Sequence, residues 1–259
     1  FVCSLVERVL RDHLDDLIEI GRNVDELTGI KRPFYRLPYT EAAELLRSSR
    51  ARELLENDLT EKRQRVVELD ERIAELEATA KGSGKQWEKD KAAAEVIHAR
   101  EERTEIVEQI GNIPHHMELA ANFQWGGDLG GSDETIISRL HDRPVFVTHY
   151  PKQVKAFYMR QDRSYDRVVE NFDLLAPQGF GEIIGGSARE EDLDRLVHRM
   201  NEEHLPLEDY EWYLDLRRYG TVPHGGFGLG VERTVCWICN LKHIREAIPF
   251  ARMMGKFYP

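Results

Sequence analysis

The sequence is poor in cysteine and has no long apolar run. Its only cysteines are Cys3, Cys236 and Cys239, too few for the framework of a disulfide-stabilised secreted domain. No stretch approaches the roughly 20 apolar residues that span a bilayer, and no signal peptide is visible at the start. These absences predict a protein of the reducing cytoplasm without a membrane partner. Because Cys236 and Cys239 lie in an apolar segment without a second pair, they indicate core packing rather than metal or redox chemistry.

Basic residues are also in short supply. The 259 residues include 36 Lys and Arg against 47 Asp and Glu, a net charge of −11. This balance disfavours a general nucleic-acid binder, although it allows a local basic face. The 41% of apolar residues suffices for a core, and the length fits one large domain or two small ones.

Residues 50–113 differ from the rest because nearly all are charged or helix-favouring. Apolar residues keep 3-4 spacing on both sides of Gly82-Ser83-Gly84, which predicts an antiparallel, coiled-coil-like helical hairpin. The chain then divides into 1–49, 50–113 and 114–259. Acidic residues outnumber basic ones in the hairpin, so we favour an arm that contacts a protein partner over a spacer or an RNA-contacting arm.

The two flanking regions show mixed patterns. Residues 1–20 carry a helical apolar stripe, and Thr40 is expected to be the N-cap of a following helix. Predicted strands cover 145–148, 156–159, 168–175 and 182–185, and predicted helices cover 190–204 and 207–217. Strands joined by turns, with the helices gathered separately, indicate an α+β fold with an antiparallel sheet.

A glycine-rich run provides the clearest motif. Gly226, Gly228 and Gly230 alternate, and Arg233 follows in the pattern G-x-G-x-G-x-x-R. Alternating glycines in a strand clear one face, so that a flat ligand can lie against the backbone. The apolar run after it predicts a helix that carries Arg233 in its first turn. The pattern is not the dinucleotide-binding fingerprint, because Val231 replaces the required glycine; an ordinary glycine-rich turn is the alternative.

Two carboxylates are expected to meet across a hairpin. If Pro177-Gln178 is its centre, Asp173 and Glu182 face each other on neighbouring strands, about 5 Å apart at Cβ. Two such anions repel unless a cation lies between them, and a hard cation such as Mg²⁺ fits that role. The alternative is a surface hairpin with incidental acidic residues.

The glycine motif matches the third signature motif of class II aminoacyl-tRNA synthetases. Residues 123–259, and less extensively 1–46, resemble the catalytic domain of asparaginyl-tRNA synthetases. The resemblance rests on VFVTHYPK (145–152), AFYM (156–159), GEIIGGS (181–187), WYLDLRRYGTVPH (212–224) and LKHIREAIPF (241–250). It implies the class II antiparallel sheet, with ATP, Mg²⁺ and asparagine or aspartate as ligands, tRNA as a further partner and a homodimer. In these relatives the connection at 50–113 is short, so the hairpin is expected to be an insertion.

The resemblance also implies roles for individual residues. Arg233 would stack on adenine and act in catalysis with Asp173 and Glu182, which would hold the metal. The nucleotide would also contact Arg189, Gly228 and Gly230, and the amino acid would contact Lys155, Tyr158, Arg217 and His224.

Two departures from the family pattern leave alternatives open. Its motifs 1 and 2 are not visible, and Gly127 stands where an acidic residue is usual. The first hypothesis is an asparaginyl-tRNA synthetase-like ligase, complete only with upstream sequence. The second is an asparagine synthetase-like enzyme that passes activated aspartate to ammonia or a small amine. The third is a non-catalytic binding module derived from a synthetase.

Overall fold

A computed structural model of the chain describes residues 1–255. The chain forms two compact units: one comprises Phe1–Glu44 and the residues from Gln124 onward, and the other comprises Leu45–Phe123. The first unit is therefore discontinuous in sequence. Within residues 1–255, no helix is both long enough and apolar enough to cross a membrane.

The first unit is built on a five-stranded sheet with the order β1-β2-β3-β4-β5. The strands are β1 (Tyr35–Pro38), β2 (Val145–Thr148), β3 (Asn171–Ala176), β4 (Gly181–Ala188) and β5 (Gly225–Leu229). All neighbouring strands pair antiparallel except β1 and β2, which are parallel. The predicted α+β fold with an antiparallel sheet is confirmed, and β1 adds a parallel edge strand from a segment without a strand prediction.

The remaining elements of the two units are mainly helices. In chain order they are α1 (Val2–Asp12), α2 (Leu14–Glu19), α3 (Val24–Thr28), α4 (Tyr39–Leu46), α5 (Ser49–Lys81), α6 (Gln86–Ala121), α7 (Gly131–Arg139), α8 (Leu193–Glu202), α9 (Glu211–Arg218) and α10 (Val231–Cys239). Because residues directly opposite each other on paired strands project to the same face, Leu174 and Ile184 share one face of the sheet. They pack into a core with Trp237 of α10 and with Val6 and Leu27 of the N-terminal helices.

The predicted strand at 156–159 is wrong. The segment is a turn, in which the Met159 N–H donates to the Ala156 carbonyl at 3.1 Å, and only an isolated bridge joins Met159 to Arg189. Its apolar residues instead serve a small core, where Phe157 packs against Leu196 and Leu214. Burial in a loop therefore produced the pattern that indicated a strand.

The predicted N-cap at Thr40 is also wrong. Helix α4 begins at Tyr39, and the Thr40 hydroxyl accepts a hydrogen bond from the Trp125 indole at 3.1 Å. Asp192 is a contrasting case in another helix: it is the N-cap of α8, and its side chain accepts the Arg195 N–H at 3.1 Å. A short polar side chain before an apolar run thus caps a helix only where no tertiary partner competes for its oxygen.

The register of the β3–β4 hairpin differs from the predicted one. Asp173 lies opposite Gly185, and Glu182 lies opposite Leu175. The reason is the turn, in which Gln178 has φ 67° and two glycines also have positive φ. Such a turn is longer than a two-residue connection centred on Pro177-Gln178, so the strands pair further along.

A β-bulge then shifts the register within the hairpin. Leu174 pairs with Ile184 but Leu175 pairs with Glu182, so Ile183 is an extra residue on β4. A bulge redirects the side chains on one side of it relative to those on the other. In a regular strand without a bulge, Glu182 would project to the face opposite Asp173, because it lies three positions from Gly185 and successive side chains alternate between the two faces.

The second unit contains two long antiparallel helices, as the sequence predicts. Ion pairs cross between α5 and α6, for example Arg65–Glu102 at 2.8 Å and Arg72–Glu95 at 3.4 Å. Leu69 is completely buried within this unit. Helix α6 continues beyond residue 113 through Pro114 to Ala121. The proline removes one backbone hydrogen bond, but buried residues on both sides, Ile113 and Ala120, retain the packing of the helix.

Candidate active site

One face of the sheet lacks side chains over much of its area. Gly185 pairs with Gly228 in β5, and Ser187 pairs with Gly226. Residues directly opposite each other project to the same face, so these positions and Asp173 form one surface, here called the glycine face. A Cβ atom on Gly228 would meet nothing within 4 Å, so this part of the surface is open. At Gly228 the strand thus has the open surface expected from the sequence.

Asp173 and Glu182 converge on the glycine face. Asp173 Oδ1 lies 3.5 Å and Glu182 Oε1 lies 2.6 Å from the point where a Cβ of Gly185 would stand. Gly185 therefore leaves space that any larger residue would fill. Lys155 extends from a loop to the same place, and its Nζ donates to Asp173 Oδ2 at 2.6 Å. The bulge brings the carboxylates together, although the predicted direct pairing is absent.

The surroundings of Glu182 change the pKa of its carboxyl. Burial, and next the negative charge of Asp173, raise the pKa of the Glu182 carboxyl, while Lys155 and Arg233 act in the opposite direction. Burial and the same Asp173 charge also raise the pKa of the Tyr150 phenol. Lys155 Nζ lies 4.0 Å from the centroid of the Tyr150 ring, a cation–π geometry. The site therefore holds more negative charge than its resident lysine neutralises.

Arg233 lies in the first turn of α10, as the sequence predicts, and reaches the backbone of Glu182. Its Nη1 donates to the backbone carbonyl of Glu182 at 2.9 Å, and its side chain is otherwise exposed. The helix begins at this point because Gly230 carries the chain from β5 into α10, and the Gly230 N–H donates to the Ile183 carbonyl at 2.9 Å.

Arg189 and Tyr158 form a second group on the glycine face. The Arg189 guanidinium stands 4.7 Å from the Tyr158 ring centroid and donates to the Ser187 hydroxyl. It also covers Gly226, where a Cβ atom would lie 3.1 Å from Arg189 Nη2. The backbone of His224 is adjacent, since its carbonyl accepts the Arg189 N–H at 2.9 Å. The structure thus gathers three of the predicted ligand-binding residues.

Arg217, which is predicted to contact the amino acid, lies beside the loop that follows β4. It is buried, and its guanidinium donates to the Glu190 carbonyl at 2.9 Å and to the Tyr213 hydroxyl at 2.9 Å. These donors point at protein groups and fix α9 beneath the loop that follows β4. The neighbouring Arg218 bonds Asp215 and Glu211 on the surface.

Glu134 belongs to this region, although sequence reasoning did not select it. From the first turn of α7 its Oε2 accepts the N–H of Glu182 at 3.0 Å. Burial is the largest cause that raises the pKa of the Glu134 carboxyl, and the charges of Glu182 and Asp173 add to it. An acidic residue in a first helical turn is common, so the sequence carried no distinguishing signal.

Within residues 1–255, no group of three or more His, Cys, Asp or Glu side chains is arranged to hold a metal ion. Cys236 is buried in α10, and the three cysteines are free thiols. This agrees with the packing role predicted for Cys236 and Cys239. Any metal at the glycine face would therefore depend on the Asp173–Glu182 pair together with ligand oxygens.

Comparison with known proteins gives one consistent family. The family model described as tRNA synthetases class II (D, K and N) matches residues 2–254. The asparagine--tRNA ligase of Sorangium cellulosum is 42% identical over 259 residues, which cover 100% of this chain and 45% of the relative. The enzyme of that name from Pyrococcus horikoshii is 56% identical over 138 residues, or 53% of this chain and 32% of the relative. The hairpin lies within the segment aligned to the Sorangium protein.

Solved structures give the same result. The crystal structure of asparaginyl-tRNA synthetase from Pyrococcus horikoshii complexed with asparaginyl-adenylate has a TM-score of 0.68 and 34% identity; the match covers 100% of this chain and 43% of that one. The chain spans less than half the length of the relatives it matches most extensively. With the sheet, the glycine motif and a family match over nearly every residue, the chain belongs to the class II tRNA synthetases of the aspartate, lysine and asparagine group, as its resemblance predicted.

Proposed function

We propose that this chain supplies the ATP-binding and amino-acid-binding face of an enzyme that activates asparagine as an adenylate and transfers it to tRNA. The observation that carries the proposal is the convergence of Asp173, Glu182 and Arg233 beside the cleared strand β5. Asparagine is favoured over aspartate because the relatives reported above are named as asparagine enzymes.

The nucleotide is proposed to lie on the glycine face at Gly228 and Gly230. The open space above Gly228 admits a flat base, and the planar Arg233 guanidinium can stack on it while its charge attracts phosphates. Arg189 adds a second positive charge on the same surface, and its contact with Tyr158 restricts its orientation. The nucleotide would thus be held mainly by backbone and by two arginines.

Magnesium is proposed to be held by Asp173 and Glu182. Mg²⁺ typically takes one or two carboxylates, keeps several waters and completes its shell with substrate phosphates, so two acidic residues suffice. The space beside Gly185 and the raised pKa of Glu182 support the fit, because a cation there offsets the repulsion between the carboxylates. When bound, the ion would neutralise charge on the phosphate oxygens.

The chemistry needs no protein nucleophile. The α-carboxylate oxygen of asparagine attacks the α-phosphorus of ATP, the bond to the β-phosphate oxygen breaks, and pyrophosphate leaves with the electron pair. A tRNA hydroxyl then attacks the activated carbonyl and AMP leaves. Lys155, Tyr158 and His224 are proposed to orient the amino acid. Catalysis by such a site rests on positioning and on charge stabilisation.

Two further partners are proposed: a second copy of the chain and a protein that contacts the hairpin. A homodimer is proposed from the family resemblance. The hairpin of α5 and α6 is proposed as an arm for a protein partner, since Trp87 and Ile97 are exposed there, at 61% and 59% of their surface. Exposed aromatic residues are enriched at protein interfaces.

The test is ATP–pyrophosphate exchange by the whole protein that carries this chain, with asparagine and aspartate compared. We expect exchange with asparagine, a loss of about 10²–10³-fold in Arg233→Lys, and no loss in Glu208→Gln, which changes an exposed residue. Exchange with neither amino acid refutes the proposal. Asparagine formed from aspartate, ATP and ammonium would instead support the asparagine synthetase-like alternative, and ligand binding without exchange would support the non-catalytic one.

A further inference from the structure

Glu182, which precedes the extra residue of the bulge, has its backbone N–H and carbonyl bonded to charged side chains. Its N–H donates to Glu134 Oε2 at 3.0 Å, and its carbonyl accepts from Arg233 Nη1 at 2.9 Å. A bulge disrupts the strand ladder locally, so that backbone groups need other partners. Here α7 supplies the anion and α10 supplies the cation.

The turn before Glu182 is shaped to receive the first turn of α7. A Cβ on Gly181 would stand 2.7 Å from Glu134 Oε2, and Gly181 has φ 69°, so a side chain there meets both a clash and backbone strain. One residue along the helix, the Thr135 hydroxyl donates to the Gly179 carbonyl at 3.3 Å. A Cβ on Gly179 would meet Thr135 Cγ2 at 3.2 Å. Two glycines thus allow the close approach that the Glu134 bond requires.

The bulge at this contact determines the face to which the Glu182 side chain projects. Without the bulge, Glu182 would project away from Asp173; with the bulge, its carboxylate reaches the space beside Gly185. Glu134 adds a third carboxylate near two others, an unfavourable arrangement for stability alone. Its oxygen nevertheless gives the Glu182 N–H an acceptor at the bulge, where the strand ladder is disrupted.

We propose that Glu134 is a positioning residue: by holding the Glu182 amide in the bulge, it directs the Glu182 carboxylate toward Asp173 and completes the metal–nucleotide site. The inference rests on the proposed function for the role of that site, whereas the bond itself is testable without it. Glu134 acts through Glu182 and need not contact the nucleotide.

Two variants of Glu134 distinguish the position of its acceptor oxygen from its negative charge. Glu134→Gln keeps an oxygen at the same reach and removes the charge, whereas Glu134→Asp keeps the charge on a side chain one methylene shorter. Glu208→Gln is the matched control, because it removes an exposed carboxylate in the same unit. The first measurement is amide hydrogen exchange of the segment 179–186. The second is the half-saturating Mg²⁺ concentration in pyrophosphate exchange, together with KM for asparagine.

We expect Glu134→Asp to accelerate exchange at the Glu182 amide and to raise the half-saturating Mg²⁺ concentration by about 10- to 100-fold, the range for a lost hydrogen bond to a charged group. Glu134→Gln should stay within about threefold of wild type in both measurements, since its oxygen still accepts the N–H. KM for asparagine should stay within about twofold in both variants, because the amino acid is not bound through this carboxylate. A purely structural residue would lower thermal stability and leave the Mg²⁺ dependence unchanged.

Three results would overturn the inference. One is unchanged protection of the Glu182 amide in Glu134→Asp. Another is an equal effect of Gln and Asp on the Mg²⁺ dependence, which would assign the role to general disruption. The third is a fall in thermal stability with the Mg²⁺ dependence of wild type. If the wild type shows no pyrophosphate exchange, the proposed function fails separately, and amide exchange alone then decides whether Glu134 holds the bulge.

Discussion

Replacing Glu182 with Gln removes one of the two carboxylates beside Gly185 while it keeps the size of the side chain. The Asp173 and Glu182 oxygens both lie within 3.5 Å of one point, so they are at most about 6 Å apart. At an effective dielectric constant of about 20, two charges at that separation repel by roughly 3 kcal/mol. Attraction to Lys155 and partial solvent access offset most of this repulsion. We therefore expect the ligand-free variant to be more stable by about 1 kcal/mol, or about 2–4 °C in Tm.

The same change should weaken binding of the magnesium–nucleotide complex, because Mg²⁺ prefers anionic oxygen ligands. A tenfold loss of affinity reduces the stabilisation by saturating ligand by about 1.4 kcal/mol. The two effects have opposite signs, so the Tm of the variant should be above that of wild type without ligand. The increase in Tm on adding Mg-ATP should be smaller in the variant.

Thermal melts with and without Mg-ATP measure both effects, and Glu208→Gln provides a variant that loses an exposed carboxylate. An unchanged Mg-ATP shift in Glu182→Gln would refute the metal assignment. A loss of stability without ligand would refute the repulsion argument, since the carboxylate would then be making favourable contacts that the amide lacks.

The pH dependence of the free energy of unfolding should also differ between wild type and Glu182→Gln. The pKa of Glu182 is raised in the fold above its ordinary value of 4.5, so the folded state binds more protons than the unfolded state in the interval between the two values. The wild type should therefore lose stability as pH rises from 4.5 through the raised pKa. Glu182→Gln should lack that part of the loss, and its advantage over wild type should vanish below the interval. Urea melts at several pH values measure the difference; an advantage that persists at low pH contradicts the reasoning.

Further predictions concern packing and buried polar groups. Leu69→Ala should destabilise the hairpin by about 2–5 kcal/mol because Leu69 is fully buried, whereas the surface ion-pair variant Arg72→Ala should cost less than about 1 kcal/mol, as followed by circular dichroism. Lys155→Met should cost about 3–5 kcal/mol in urea unfolding, because Asp173 keeps a buried charge without its partner, and Asp173→Asn should restore much of that loss. Arg217→Lys should lower stability by about 1–3 kcal/mol, because it loses the forked bonds beneath the loop after β4; an unchanged melting curve would contradict this.

Local patterns were sufficient for much of the fold. The 3-4 spacing of apolar residues around Gly82-Ser83-Gly84 predicted the hairpin, because a helix repeats its faces every 3.6 residues whatever surrounds it. The alternating glycines and the apolar run after them predicted strand β5 and helix α10 with Arg233 in its first turn. Residues 156–159 show the limit, since a buried loop and a strand produce the same apolar pattern.

Local sequence patterns did not predict the strand register or the tertiary hydrogen-bond partners. The sequence singled out Asp173 and Glu182, but a hairpin register depends on the turn conformation, and the positive φ of Gln178 and the extra residue Ile183 changed it. The sequence also predicted Arg217 as an amino-acid contact, and the structure adds that its guanidinium donates to Glu190 and Tyr213. A guanidinium has several donors, and only the packed structure shows which groups accept from them.

By itself, the sequence determined which residue types the candidate site contains: the alternating glycines, two carboxylates and the arginine that follows them. The tertiary structure alone decided how these groups meet. A bulge of one residue turns Glu182 to the face of Asp173, and Glu134, more than forty residues away in sequence, holds the amide of that bulge. The physical reason is that side-chain type is local to the sequence, whereas the partner of a backbone N–H outside the ladder is whatever the fold brings within reach.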